Sequence, residues 1–293
     1  MSKLRIENLT KRYDDVTALE DVSFELEEDE FVVLLGESGA GKSTLLRCLN
    51  GLTEPTDGSI YLDGNSLKES RSDVAMIFQQ HNLVEDLSAY KNALTGALNR
   101  TWFIKSVLHW HSKEDKRLAL EALETVGLLD EAQQLVVSMS GGQQQRVGIA
   151  RALVQQPSLM LADEPVASLD PASAETVIAY LRKASEERNL ATITSLHQVN
   201  IARYFGERFL GLKDGELIFD GYRDELTPDV IDEIYGEVRT VGGGADHVME
   251  EDGDSDGDGD GDSGIIPAVS KSEMGETASD ESQSHAVREK ETA

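Results

Sequence analysis

The sequence predicts an α/β fold: a mixed sheet built around a phosphate-binding (P-loop) core, a small antiparallel β subdomain at the N-terminus, and an inserted helical subdomain. Three observations predict it. The apolar run Phe31-Val32-Val33-Leu34-Leu35 leads into Gly36-Glu37-Ser38-Gly39-Ala40-Gly41-Lys42-Ser43-Thr44, with Leu45, Leu46 and Leu49 following at helical spacing. Strand, glycine-rich loop and helix in that order are the context the P-loop pattern requires. A second apolar strand, Leu159-Met160-Leu161-Ala162, ends in Asp163-Glu164. Between the two, residues 85–135 read mostly as helix, with Ala119, Leu120, Ala122, Leu123 and Val126 as an apolar stripe.

Along the chain, residues 3–30 alternate as short strands and turns, and Gly58-Ser59-Ile60-Tyr61-Leu62 adds a strand before the Asp63-Gly64 turn. Cys48 falls on the apolar face of the helix after the glycine loop and is expected to be buried. Residues 74–79 form a buried strand, and residues 159–162 and 191–196 are core strands separated by a helix over 172–188. Residues 210–219 form a hairpin around Asp214-Gly215. The expected organisation is a globular domain over 1–240, with the helical subdomain at about 85–152, then a tail over 241–293. That tail is dominated by Gly, Asp, Ser and Glu, a composition expected to stay disordered. Asp252, Asp254, Asp256 and Gly257 imitate the start of a calcium loop, but position twelve would be Ser263, which cannot supply the bidentate carboxylate.

The chemistry of these motifs is specific. Gly36, Gly39 and Gly41 let successive backbone N–H groups converge on one anion. The helix starting near Lys42 aims its positive end at the same point. Lys42 can reach the β/γ-phosphates of a nucleoside triphosphate and the Ser43 hydroxyl can ligate magnesium. Asp163 is placed to hold that metal, and Glu164, on the other side of the strand end, to polarise an attacking water. Ser140-Gly141-Gly142-Gln143 opens the helical run Val147–Leu153 and forms a second anion cradle, with Ser140 as N-cap.

With these motifs in hand, the chain resembles the ATP-binding subunits of ABC transporters, from about residue 3 to about residue 240. The resemblance implies a P-loop ATPase core that binds ATP and Mg2+. Gly36 to Thr44 corresponds to the Walker A loop, Asp163 and Glu164 close Walker B, and Ser140 to Gln143 match the signature motif. Met139 stands before the signature where Leu is usual, a change that conserves volume. Tyr13 resembles the aromatic that stacks on adenine, Gln79 the Q-loop residue that touches magnesium, Asp170 of Ser168-Leu169-Asp170 the D-loop, and His197 the switch histidine. The metal would be held by Ser43, Gln79 and Asp163, and Glu164 and His197 would be catalytic. The resemblance further implies two copies closing around two ATP molecules, each between Lys42 and Ser43 of one copy and Ser140 and Gly142 of the other. Opening after hydrolysis would drive integral membrane permease subunits.

A finer resemblance, to the ATPases of phosphonate importers, lies outside the catalytic motifs, in residues 76–94, the Trp102 and Trp110 insert at 101–111, residues 196–205 and Ile234-Tyr235-Gly236. It implies import of a phosphonate or a related phosphorus oxyanion, with the solute chosen by a separate binding protein. Import of another small solute, such as an amino acid, and an ABC ATPase that powers something other than transport are the alternatives the residues leave open.

Composition narrows the setting. The chain has 293 residues, 39% of them hydrophobic, and a net charge of −28. Residues 246–293 carry a net −12 and the rest of the chain the remaining −16, so the acidity is not confined to the tail. Such a surface repels nucleic acid and argues against repair or translation ATPases. No apolar run approaches the roughly 20 residues that span a bilayer. The N-terminal residues lack the apolar stretch of a signal peptide. A location on the cytoplasmic face of the cell membrane, as a peripheral subunit, is the expectation. One cysteine excludes an internal disulfide and a cysteine-cluster metal site. Hydrated carboxylates at this density suit a salt-rich cytoplasm, as in halophilic archaea. ATPase activity and thermal stability are therefore expected to rise with KCl; full activity and stability in dilute buffer would count against salt adaptation.

Overall fold

The computed structural model describes residues 3–236, apart from 68–71, 81 and 101–110. The expected tail over 241–293 and the Trp102 and Trp110 insert lie outside the described residues. β1 (Leu4–Tyr13) and β2 (Val16–Leu26) pair antiparallel, and β4 (Asp57–Leu62) pairs antiparallel with β1 on its other side. With the short β5 (Asn65–Ser66) they make a four-stranded sheet in the order β2-β1-β4-β5. Leu4, Ile6, Leu19 and Leu26 are buried on its inner face, as the alternation along these strands requires.

The second sheet has six strands in the order β10-β9-β3-β8-β7-β6. β3 (Phe31–Leu35), β6 (Val74–Ile77), β7 (Leu159–Ala162), β8 (Ala191–Ser195) and β9 (Arg208–Lys213) run parallel, and β10 (Glu216–Tyr222) returns antiparallel along β9. Every residue of β3, β7 and β8 is buried, because a parallel sheet is covered on both faces. On one face Val32, Leu34, Leu159, Leu161 and Ile193 pack with Leu45, Leu46 and Leu49 of α1 (Lys42–Leu49) and with the antiparallel sheet. On the other, Phe31, Val33, Leu35, Met160 and Ala162 meet the remaining helices.

Those helices are α2 (Ala89–Leu94), α3 (Lys113–Thr125), α4 (Gly141–Val154) and α5 (Pro171–Arg188), followed after β8 by α6 (Val199–Phe205) and after β10 by α7 (Pro228–Tyr235). α2, α3 and α4 pack on one another, and α4 also reaches β6 and α5. Their starts are written in the sequence. Ser112 and Asp115 form a reciprocal capping box at α3, and Asp170 caps α5 ahead of Pro171 at its first turn.

The helical reading of 85–135 is too generous. α3 ends at Thr125, and residues 128–135 are largely turns. Gly127 ends the helix: its φ is +65°, and a Cβ there would stand 2.3 Å from the Tyr180 hydroxyl. Within the stripe, Leu118, Ala119, Ala122 and Leu123 are buried but Leu120 is exposed, because it points away from the face its neighbours share. β6 likewise stops at Ile77, leaving Gln79 beyond the strand. The Asp214-Gly215 turn is as expected: both residues have positive φ (49° and 86°), which suits a two-residue hairpin turn. Its tip is locked in place, Gly215 N–H donating to the Ala40 carbonyl at 3.2 Å and its carbonyl accepting from Glu20 N–H at 2.9 Å.

No helix among the described residues is long and apolar enough to cross a membrane. Cys48 is buried on α1, and burial pushes its thiol up to about 11. A thiol held above its ordinary value stays protonated, so at pH 8 the native protein should react with a disulfide reagent far more slowly than the urea-unfolded chain. The same shift lowers stability as pH rises from the unfolded thiol's range near 9 towards 11. Equal labelling rates for folded and unfolded protein, followed by absorbance, would show that Cys48 is accessible.

Candidate functional site

The site is built where parallel strands end side by side. β3, β8 and β7 are neighbours in the sheet, so the segments that leave their C-terminal ends share one edge. From β3 comes the glycine loop. Gly41 caps α1 with φ +101°, and a Cβ there would lie 2.5 Å from the Ala18 carbonyl oxygen, so only glycine is accommodated. Lys42 folds back over the loop, and its Nζ donates to the carbonyls of Gly36 at 2.8 Å and Glu37 at 2.9 Å. Lys42 is buried, and burial lowers its pKa from the ordinary lysine value; Glu164 and then Asp163 oppose that shift. The cation is thus held in low dielectric beside two carboxylates, and a phosphate would supply the counter-charge that burial removes.

From β7 come Asp163 and Glu164. Asp163 N–H donates to the Ile77 carbonyl at 2.9 Å, which extends the β6–β7 ladder by one residue. Its Oδ1 accepts from the Ser43 hydroxyl at 2.9 Å, across 120 residues of sequence. Glu164 then turns into the left-handed region at φ 48°. Its N–H donates to Ser195 Oγ at 2.8 Å, and Ser195 Oγ also lies 3.2 Å from Asp163 Oδ1. From β8, two residues past Ser195, comes His197, whose Nε2 is in close hydrogen-bond contact with Glu164 Oε1. Lys42, Ser43, Asp163, Glu164 and His197 are therefore brought together as the sequence predicts. Ser195 was not anticipated: a serine at a strand end is unremarkable until β8 is known to lie against β7.

The donor set suits magnesium. Ser43 and Asp163 offer hard oxygen ligands, and their 2.9 Å separation matches that of neighbouring ligands in an octahedron with bonds of about 2.1 Å. Among the described residues no cluster of three or more His, Cys, Asp or Glu could hold a metal by itself. Gln79 is exposed, two residues past the end of β6, and among the described residues it has no hydrogen bond to Asp163 or Ser43. Tyr13 ends β1, half-exposed, with the Lys11 ammonium 4.8 Å from its ring centroid. Lys11 Nζ is anchored on the Glu54 carbonyl at 2.8 Å.

The second cradle stands apart. Ser140 caps α4: its Oγ accepts from Gln143 N–H at 3.3 Å, while Gln143 Oε1 accepts from Ser140 N–H at 2.9 Å. Gly141 and Gly142 pack towards Leu169 and Ser173, and a shallow cleft lined by Ser140, Gly142, Gln143, Arg146 and Ser173 opens beside them. Asp170 accepts from Ser173 N–H at 3.0 Å, and this bonding with Ser173 holds its carboxyl below the ordinary range. Among the described residues no hydrogen bond or ion pair joins Ser140–Gln143 to Lys42, Ser43 or Glu164.

The family described as ABC transporter matches residues 19–167. The chain belongs to the ABC transporter family. Within it, the chain is 64% identical over 240 residues to a phosphonates import ATP-binding protein of Halobacterium salinarum, covering 82% of this chain and 86% of that one. A protein of the same description from Haloquadratum walsbyi is 63% identical over 84% of this chain and 88% of its own. Among solved structures, a dimeric ATP-binding cassette in a post-hydrolysis state bound to ADP and Pi is 35% identical, with a TM-score of 0.64 over 75% of this chain and 98% of its own. A nucleotide-free ATP-binding cassette from an ABC transporter, at 22% identity and a TM-score of 0.71 over 80% of this chain and 98% of its own, shares the fold. The architecture predicted from the sequence is thus that of an ABC ATPase cassette.

Lys42 supplies a buried positive charge that a triphosphate needs. Lys42→Ala should weaken nucleotide binding by roughly tenfold to a hundredfold, the range for hydrogen bonds to charged groups. Titration with a fluorescent ATP analogue measures it, and parental affinity would remove Lys42 from the binding site.

Proposed function

We propose that this chain is the ATP-hydrolysing subunit that energises import of phosphonate, or a related phosphorus oxyanion, through an ABC transporter. The observation that carries the hydrolytic half of this reading is the network Ser43–Asp163–Ser195–Glu164–His197 beside the Lys42 loop. The two haloarchaeal relatives, named for phosphonate import and alike over most of both chains, support the cargo.

In this reading Gly36, Glu37, Ser38, Gly39, Ala40, Gly41, Lys42, Ser43 and Thr44 bind the phosphates of ATP, and Tyr13 stacks on the base through the ring face opposite Lys11. Ser43 and Asp163, with Gln79, would hold magnesium, which would neutralise charge at the phosphates. Glu164 accepts a proton from the attacking water at its carboxylate. His197 holds that carboxylate in place and would position the γ-phosphate. Ser140, Gly141, Gly142 and Gln143 present a capped helix N-terminus, with no bond to the chain's own phosphate loop among the described residues. In this reading a second copy supplies the completing cradle, with Asp170 at the join. The dimeric state of the relative bound to ADP and Pi agrees with it. The remaining partners are integral membrane permease subunits, which place the ATPase peripherally on the cytoplasmic face, and a solute-binding protein with which it has only indirect dealings.

Glu164→Gln should retain ATP binding, lose turnover by about a hundredfold or more, and accumulate an ATP-held dimer on size-exclusion chromatography. Near-parental turnover would remove Glu164 as the base. For the cargo, disruption of the gene should abolish growth on methylphosphonate as sole phosphorus source while sparing growth on phosphate; unchanged growth on the phosphonate would exclude that substrate.

A further inference from the structure

We propose that Ser195 is a positioning residue that aligns Glu164 with Asp163 for hydrolysis, an inference that rests on the assignment of Glu164 as the base. Ser195 is fully buried at the last position of β8. A serine hydroxyl has a single hydrogen and two lone pairs. One lone pair accepts Glu164 N–H at 2.8 Å. The hydrogen has two acceptors in range, Asp163 Oδ1 at 3.2 Å and the Ala162 carbonyl at 3.5 Å. The ionised carboxylate is both nearer and the stronger acceptor. One hydroxyl therefore joins the backbone of the residue proposed to move a proton to the side chain of the residue proposed to hold the metal.

The backbone of Glu164 gives this bond its purpose. A glutamate at φ 48° occupies a region that side chains other than glycine rarely adopt, and such conformations persist only where the surroundings enforce them. Ser195 holds the N–H of Glu164, and His197, two residues on along the same segment, holds its carboxylate. The segment leaving β8 thus grips Glu164 at two points, one on the main chain and one on the side chain. Removing the hydroxyl frees the first while leaving the carboxylate and His197 intact. It also takes from Asp163 Oδ1 one of the two hydroxyls that reach it, Ser43 being the other.

The test compares Ser195→Ala, Ser195→Thr and Ser195→Val in the full chain. Thr and Val have nearly the same shape, and only Thr keeps the hydroxyl. Ser195→Ala and Ser195→Val should lower kcat about tenfold or more, with KM for ATP within about twofold and unchanged affinity for a fluorescent ATP analogue in EDTA. Ser195→Thr should restore most of kcat. In a Glu164→Gln background, Ser195→Ala should lower the residual single-turnover rate no further, because the two residues act through one another. Parental kcat in Ser195→Ala, when Glu164→Gln stalls, overturns the role of Ser195 alone. So does equal behaviour of Thr and Val, or a full additional loss in the Glu164→Gln background. A fall in Tm with parental kcat per folded molecule assigns Ser195 to stability and likewise overturns the proposal. Parental turnover in Glu164→Gln overturns the base assignment and this inference with it.

Discussion

The hydrogen bond between Ser43 and Asp163 closes a loop of 120 residues, and the rest of the site depends on what makes it possible. The two residues leave the ends of β3 and β7, which are not adjacent: β8 lies between them. The contact therefore requires both strands to end at the same level and their following segments to bend over the end of β8. The buried runs of β3, β7 and β8 set that level, because a shift of one residue would exchange the side chains fitted into the two apolar cores. The two apolar cores on either side of the sheet are thus also the means by which a hydroxyl and a carboxylate come within 2.9 Å.

The same arrangement concentrates charge where the protein is least able to solvate it. Lys42 is buried, Glu164 is half-buried, and Asp163 is nearly excluded from water. Each ion is tolerated because the others are close and because backbone carbonyls and N–H groups occupy the remaining hydrogen-bonding positions. The two carbonyls on Lys42 and the two hydroxyls on Asp163 do this work in the ligand-free chain. A surface carrying so large a negative charge adds a long-range term of one sign, which salt screens without reaching the buried cluster.

What could be read from the sequence follows from the range of the interactions involved. The glycine loop, Asp163-Glu164 and Ser140–Gln143 are local patterns in which a strand, a turn and a helix cap lie within a dozen residues, so composition and spacing expose them. The Ser140 cap and the Asp214-Gly215 turn were legible for the same reason. Ser195 was not, because its role arises only from the contact between two strands thirty residues apart. The overlong helix across 85–135 failed at Gly127, whose constraint comes from Tyr180, a residue on another helix. Leu120 misled because an apolar stripe counts residues without their angle about the axis. Gln79 is legible only by its order among the motifs: it lies past the end of β6 and its side chain faces solvent.

The hairpin tip at Gly215 has a consequence for how fast a nucleotide can be captured. By bonding to Ala40 on one side and Glu20 on the other, it ties the glycine loop to β2. Lys42 adds a second tether from within, drawing Gly36 and Glu37 towards the helix start. The ordering entropy that a flexible loop would lose on meeting an anion has already been lost during folding. Capture is then governed by diffusion and by the field at the mouth of the site, not by a search among loop conformations.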